Sequence, residues 1–230
     1  MSQKTICVII PTLNEVKTIE SVIDEIPRLQ LESLGYAVSI VVVDTDSTDG
    51  TKQASEARGV TVISEPRKGK GRAITTAFAS VNGDFIFILD ADYTYPGIYI
   101  PKMLLKLESG FDVVLGSRLK GKIESGAMAR LNFVGNHILT LLANLLYGTH
   151  ISDLCTGYWG FRGKVVRDIN LNARGFDLEA NLLSQVAHKR CRIAEVPIHY
   201  RRRPTVSKMH PFRDGFRIAR TLVKLRFRRG

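Results

Sequence analysis

The chain has 230 residues, 44% hydrophobic and 24% charged, enough to bury a core of its own without covalent staples. Its three cysteines, Cys7, Cys155 and Cys191, lie far apart, which argues against a disulfide framework or a cysteine metal site and points to a reducing, cytosolic setting. The formal net charge of +11 is concentrated: residues 186–230 hold 14 of the 33 Lys and Arg but only 2 of the 22 Asp and Glu, so this segment calls for an anionic partner.

Residues 1–4 run straight into an apolar segment, so no secretory leader is expected. Apolar runs rich in Val and Ile predict strands at 5–10, 37–43, 60–63, 85–89 and 112–116. Helical patterns lie between them at 15–30, 51–58, 71–81 and 98–109, the first with Asn14 as its N-cap and the second capped from Ser47, Thr48 and Asp49. This alternation predicts a doubly wound α/β fold with a mostly parallel sheet. Ligands of such sheets bind at the carboxyl ends of strands, which would bring 11–15, 44–49 and 90–94 together.

Residues 118–126 are polar and contain glycines, and read as a loop. Beyond it the pattern predicts a helix over 127–147, strands at 159–162 and 192–198, and a helix over 177–189. The stretch 131–147 is the most apolar, but it is short for a bilayer span and carries Asn132, Asn136, His137 and Asn144. The segment 212–229 has the pattern of a basic amphipathic helix. Phe212, Phe216, Ala219, Leu222, Val223 and Phe227 fall near one stripe, with Arg213, Arg217, Arg220, Lys224 and Arg228 around it. Such a helix suits a membrane interface; packing on the domain or on a second subunit are the structural alternatives. The expected organisation is one catalytic domain over 1–210 and an interfacial helix over 211–230.

The sharpest chemical signal is Asp90-Ala91-Asp92 at the end of a buried strand. A bend there lets both carboxylates approach one hard cation, Mg²⁺ or Mn²⁺, held together with substrate phosphates. Alone, the pair reads more readily as a polar turn capping a strand. A second acidic strand end, Asp44-Thr45-Asp46-Ser47-Thr48-Asp49, changes that balance. Two acidic ends in one crevice repel unless a cation or a donor-rich ligand fills it, and Asp44 suits a nucleobase or ribose. Arg67-Lys68-Gly69-Lys70-Gly71-Arg72 opens a helix whose N–H groups and side chains attract anions, although its spacing is not that of a P-loop.

Taken in order, Pro11-Thr12-Leu13-Asn14-Glu15, Val43-Asp44-Thr45-Asp46-Ser47-Thr48-Asp49-Gly50-Thr51, Lys68-Gly69-Lys70-Gly71, Asp90-Ala91-Asp92, Gly116-Ser117-Arg118, the run from Asp153 to Arg162, Phe176-Asp177-Leu178-Glu179 and Ser207-Lys208 resemble the family-2 glycosyltransferases of GT-A fold. The nearest branch is that of the dolichyl-phosphate mannose and glucose synthases. The resemblance covers nearly the whole chain. It implies a nucleotide-sugar donor held by Pro11, Asn14, Glu15, Asp44, Asp46, Lys70, Asp90 and Lys208. It implies Mg²⁺ or Mn²⁺ on Asp90, Asp92 and Thr94, with Asp92 and Arg118 in the catalytic centre. A polyprenyl or dolichyl phosphate acceptor would meet Arg118, Arg130 and Arg203. The enzyme would work as a peripheral protein at the cytoplasmic face of a membrane and supply a lipid-linked sugar for protein glycosylation.

Two positions depart from the family's pattern. Thr45 stands where Asp is frequent, and Thr94 where GDP-mannose users place Gln, so GDP-mannose and UDP-hexoses both remain open as donors. A phosphate acceptor is already ionised at neutral pH and needs no strong general base; it needs cations that hold two anions together. A hydroxyl acceptor would instead need a carboxylate base, for which Asp153 is the candidate. A sugar-nucleotide pyrophosphorylase would carry a glycine-rich signature after the first strand. A nucleic-acid-binding module would leave the paired acidic strand ends unexplained, so no nucleic acid is expected as a partner.

Overall fold

The computed structural model describes residues 3–205 and 210–227. Seven strands, β1 (Thr5–Thr12), β2 (Ala37–Asp44), β3 (Thr61–Ser64), β4 (Phe85–Ile88), β5 (Val113–Ile123), β6 (Trp159–Arg162) and β7 (Ile193–Tyr200), form one sheet in the order β3-β2-β1-β4-β6-β5-β7. All neighbours are parallel except β6, which runs antiparallel to both β4 and β5.

Both faces of the sheet are covered, which is why the strands are continuously apolar. In β1, Ile6, Val8 and Ile10 enter one core, and Cys7 and Ile9 enter the other. The first core is closed by α1 (Ile19–Asp24), α2 (Arg28–Ser33) and α5 (Ile100–Glu108) through Ile19, Leu31 and Met103. The second is closed by α4 (Lys70–Ser80), α8 (Leu178–His188) and α9 (Pro211–Arg226) through Ile74, Leu182 and Leu222. The remaining helices are α3 (Thr51–Ala57), α6 (Arg130–Tyr147) and α7 (Gly163–Asp168).

Three expectations are corrected. The helix expected over 15–30 is two short helices, because Pro27 lacks the N–H that a continuous helix requires. Asn14 is not its N-cap. It adopts a left-handed conformation (φ 54°), accepts the Thr48 N–H at 2.9 Å on Oδ1, and donates its own N–H to Ser47 Oγ at 2.8 Å. The polar segment expected as a loop over 118–126 continues β5 to Ile123, pairing Lys122 with His199 and Ile123 with Tyr200 after a register shift. Gly121 permits this, because a Cβ there would collide with the Ile198 carbonyl. Helix α7 was not foreseen.

At the start of α3, Asp49 does serve the exposed N–H groups, accepting from Thr51 at 3.0 Å, while Gly50 occupies the cap position itself. Helix α9 packs against α6 and α8, with Ile218 and Leu222 buried in the second core. Its opposite face leaves Phe212, Phe216, Val223 and Phe227 exposed.

Candidate active site

The register Thr12↔Asp44 and the bond from the Leu89 N–H to the Ile9 carbonyl at 3.0 Å align the carboxyl ends of β1, β2 and β4. They open onto one cavity of about 1200 Å³. Pro11, Glu15, Lys70, Asp90, Asp92, Arg118 and Arg203 all line it, so sites expected from distant parts of the sequence converge.

Asp90 and Asp92 leave β4 through a turn strained at Tyr93 (φ 68°). Thr94 donates its backbone N–H at 3.1 Å and its hydroxyl at 2.5 Å to Asp92 Oδ1. Asp92 Oδ2 is paired with Arg203. Asp90 Oδ1 lies 2.7 Å from Lys70 Nζ, which also reaches Glu179 Oε1 at 2.9 Å. Burial pushes the Asp90 and Glu179 carboxyls up, with Lys70 opposing the rise. Burial also works against the Lys70 ammonium, but the two carboxylates outweigh it and hold it above the usual lysine range.

Gly157 seals this cluster. Its N–H donates to the Tyr95 hydroxyl at 2.8 Å, and a Cβ on it would come within 2.8 Å of Asp90 Cγ and 3.0 Å of Lys70 Nζ. Gly157→Ala is therefore expected to force Asp90 and Lys70 apart and lower transfer by about a hundredfold. Steady-state rates set beside an unchanged circular dichroism spectrum check this.

Arg118, at 7% exposure, is held by Asp153, at 0%. Its backbone N–H and Nε donate to Asp153 Oδ2 at 2.9 and 2.8 Å, and Nη2 to Oδ1 at 2.7 Å. Asn136 adds a donor to Oδ1 at 2.6 Å. The guanidinium also lies over the rings of Tyr200 and Tyr95, at 5.2 and 5.9 Å from their centroids. Burial raises the Asp153 carboxyl, but Arg118 and these donors more than reverse it and leave the group below the usual carboxylate range. Beside them, burial lifts the Cys155 thiol to about 12, which makes it a poor nucleophile.

Other expected residues stand elsewhere. Asp44 is buried beneath the cavity wall, its Oδ1 accepting from the Thr12 hydroxyl at 3.1 Å and its Oδ2 from the Ser47 N–H at 3.0 Å, while neighbouring Thr45 lines the cavity. Asn14 clamps the loop after β2, and Asp46 is exposed there in a left-handed conformation (φ 65°). Thr94 is fully buried with its hydroxyl on Asp92, so it orients that carboxylate and is not itself a wall of the cavity. Arg130 is exposed at the start of α6 and outside the cavity lining, although its neighbours Ala129, Leu131 and Asn132 line it. Lys208 lies outside the described residues.

Glu179, Gly157, Tyr95 and Tyr200 contact Lys70, Asp90 or Arg118 in ways that the sequence did not reveal. Glu179 and Gly157 stand within family motifs, so a signal was present without a role. Among the described residues, no three His, Cys, Asp or Glu side chains converge as a metal-binding group. The pair Asp90 and Asp92 nevertheless fits a hard divalent ion, which commonly takes one or two carboxylates and completes its shell with substrate phosphates and water.

Helices α6 and α9 bring Leu131, Val134, Ile138, Phe212 and Phe216 to the cavity, interspersed with Asn132, Asn136, Arg213 and Arg217. Among the described residues no helix is long and apolar enough to cross a membrane.

Comparisons with known proteins agree with this architecture. The chain is 35% identical over 220 residues to a dolichyl-phosphate hexose transferase of Haloferax volcanii, covering 96% of this chain and 93% of that protein. It is 32% identical over 202 residues to a dolichol-phosphate mannosyltransferase of Pyrococcus furiosus, covering 85% of this chain but 56% of that longer protein. Its fold matches the glucosyl-3-phosphoglycerate synthase of Mycobacterium tuberculosis, solved with Mn²⁺, uridine diphosphate and glucosyl-3-phosphoglycerate, at a TM-score of 0.77 and 25% identity, covering 96% and 80% of the two chains. Residues 7–169 match the family model for glycosyl transferase family 2, and with the strand order and paired acidic strand ends this shows that the chain belongs to that family of GT-A glycosyltransferases.

Proposed function

We propose that this glycosyltransferase moves a hexose from a nucleotide-sugar to a polyprenyl or dolichyl phosphate, with inversion at the anomeric carbon. The observation that carries the reading is the cavity's two unlike walls. One holds carboxylates and guanidinium groups, and the other, from α6 and α9, carries Leu131, Val134, Ile138, Phe212 and Phe216 with Arg213 and Arg217 among them. A ligand matching both is an anion on a hydrocarbon chain.

The carboxylates support the same reading. Asp90 and Glu179 share Lys70, Asp92 faces Arg203, and Asp153 is fully engaged by Arg118 and Asn136. Asp153 is thereby a poor general base for a hydroxyl acceptor. A lipid phosphate brings its own ionised oxygen, and the site then has only to position it. Thr45, Pro11 and Glu15 would border the nucleoside, and Arg118 would take the acceptor phosphate. Asp90 and Asp92 would hold a divalent ion, which when bound neutralises charge on the departing nucleoside diphosphate. The names of the archaeal relatives favour the lipid acceptor, and the Mn²⁺ and uridine diphosphate of the mycobacterial synthase favour a metal-bound diphosphate.

Reaching such an acceptor requires a bilayer. Leu131, Val134, Ile138, Leu141 and Leu145 of α6 are exposed at helical spacing, as are Phe212, Phe216 and Val223 of α9 and Phe227 just after it. The exposed Arg213, Arg217, Arg220 and Lys224 add positive charge to α9, a pattern suited to the anionic cytoplasmic leaflet.

The test supplies labelled UDP- and GDP-hexoses to undecaprenyl or dolichyl phosphate, with Mn²⁺ or with chelator. Label in the organic phase, dependent on the ion, is the expected result; label only on water-soluble products would reject the lipid acceptor. Phe212→Ser with Phe216→Ser is expected to lower co-sedimentation with anionic vesicles about tenfold, measured with the fold verified by circular dichroism.

A further inference from the structure

Asp90 and Asp92 each meet a cation supplied by the chain, but the two pairings are built differently. Lys70 lies between two carboxylates, 2.7 Å from Asp90 and 2.9 Å from Glu179. Its backbone has no slack: a Cβ on Gly71 would come within 2.7 Å of the Ala173 carbonyl carbon, and one on Gly69 within 3.2 Å of that of Arg174. The loop before α4 and the segment leading into α8 therefore hold Lys70 from both sides.

Among the described residues Asp92 is the carboxylate bonded to the Arg203 guanidinium, with Asp90 and Glu15 acting on it only through their charge. It belongs to neither helix nor strand, and its side chain keeps 26% exposure against 18% for Lys70. The segment is pinned two residues earlier. The Arg201 N–H donates to the Thr94 carbonyl at 3.0 Å, its guanidinium holds Glu25 at 3.0 and 2.5 Å, and it stacks 4.6 Å from the Tyr93 ring centroid. Arg203 also borders a second cavity of about 660 Å³, shared with Lys17, Arg201 and Arg202, so its side chain has space to turn.

Asp92 Oδ1 is already occupied by the two donors of Thr94, so a cation at Asp92 must use Oδ2, the oxygen that Arg203 holds. A guanidinium and a divalent ion repel too strongly to share that oxygen at contact. We propose that Arg203 is an exchangeable counterion. It neutralises Asp92 until a divalent ion bound with the donor diphosphate takes Oδ2, and the released guanidinium then receives the acceptor phosphate. The pinned Arg201 makes this a side-chain swing. Donor and metal then strengthen acceptor binding, since their arrival frees Arg203 to join Arg118 at the acceptor phosphate. The second half of this scheme rests on the lipid-phosphate reading; the exchange at Asp92 does not.

Binding alone, without turnover, tests both halves in the full chain. Electron paramagnetic resonance reports Mn²⁺ binding in the presence of UDP for the wild type, Arg203→Ala and Arg203→Lys. Loss of the competing guanidinium is expected to tighten Mn²⁺ about tenfold in Arg203→Ala, with Arg203→Lys in between. Calorimetry with farnesyl phosphate is expected to show about tenfold tighter binding when Mn²⁺ and UDP are present, a gain that Arg203→Ala removes. Unchanged or weaker Mn²⁺ binding in Arg203→Ala, with thermal midpoints matching the wild type, would overturn the exchange. Farnesyl phosphate affinity indifferent to Mn²⁺ and UDP would overturn the coupling of acceptor to donor. If farnesyl phosphate binds under neither condition while Mn²⁺ still tightens, the lipid-phosphate reading falls and the exchange at Asp92 stands.

Discussion

Asp92→Asn is expected to lower transfer at least about a thousandfold, equivalent to about 4 kcal/mol of lost transition-state stabilisation, while leaving the fold intact. The argument is atomic. An asparagine amide keeps an oxygen to accept the N–H and hydroxyl of Thr94, so the turn after β4 survives. The position of Oδ2 becomes an NH₂ group, which carries no charge and presents hydrogens to Arg203 and to any incoming cation. Single-turnover transfer of labelled hexose, together with thermal melting, separates lost chemistry from lost structure. Wild-type rates in a correctly folded Asp92→Asn protein would remove this turn from the donor site.

Arg118→Ala is expected to be the most destabilising change in the cavity, by about 3–5 kcal/mol, because it strands a buried carboxylate. Asp153 has no exposure, and it would lose both guanidinium bonds and the neutralising charge, keeping only Asn136 and the backbone N–H of residue 118. For a chain of this size the melting midpoint should fall by about 10 °C. The more telling experiment is the double replacement Arg118→Met with Asp153→Leu. Apolar residues of similar volume often substitute for a buried ion pair without loss of stability, so this protein should melt near the wild type. It should nevertheless transfer no sugar if Arg118 touches the acceptor phosphate. A stable double variant with normal rates would reduce Arg118 to a structural ion pair.

The strand ends were legible because a parallel sheet buried on both faces writes itself as apolar runs, and the acidic residues stand where those runs stop. Thr12, Asp44 and Asp90 were thus placed near one another by topology alone. The pairings were not legible. Lys70 and Glu179 are 109 residues apart, and Arg203 and Asp92 are 111 apart. No local period reports such partners; they arise from sheet order and from the antiparallel entry of β6. The extension of β5 past Ser117 was hidden for a different reason. Its charges and Gly121 look like loop chemistry, and only the Ile198 carbonyl shows why the glycine is needed there. Asn14 misled because the residue that suits an N-cap equally suits a left-handed clamp between two loops.

The place of β6 bears on how such enzymes diversify. This strand enters the middle of the sheet, between β4 and β5, before the family match ends at residue 169. Beyond that point the chain adds the edge strand β7 and the helices α8 and α9. Recombination between relatives just after α7 would therefore keep six adjoining strands and α6 while replacing the share of the cavity lining that α9 provides. Such crossovers have two compatibility requirements: the incoming chain must bring a carboxylate for Lys70 and a cation for Asp92. Chimaeras that satisfy both should fold and accept new hydrophobic tails, whereas those that break either should lose use of the donor first.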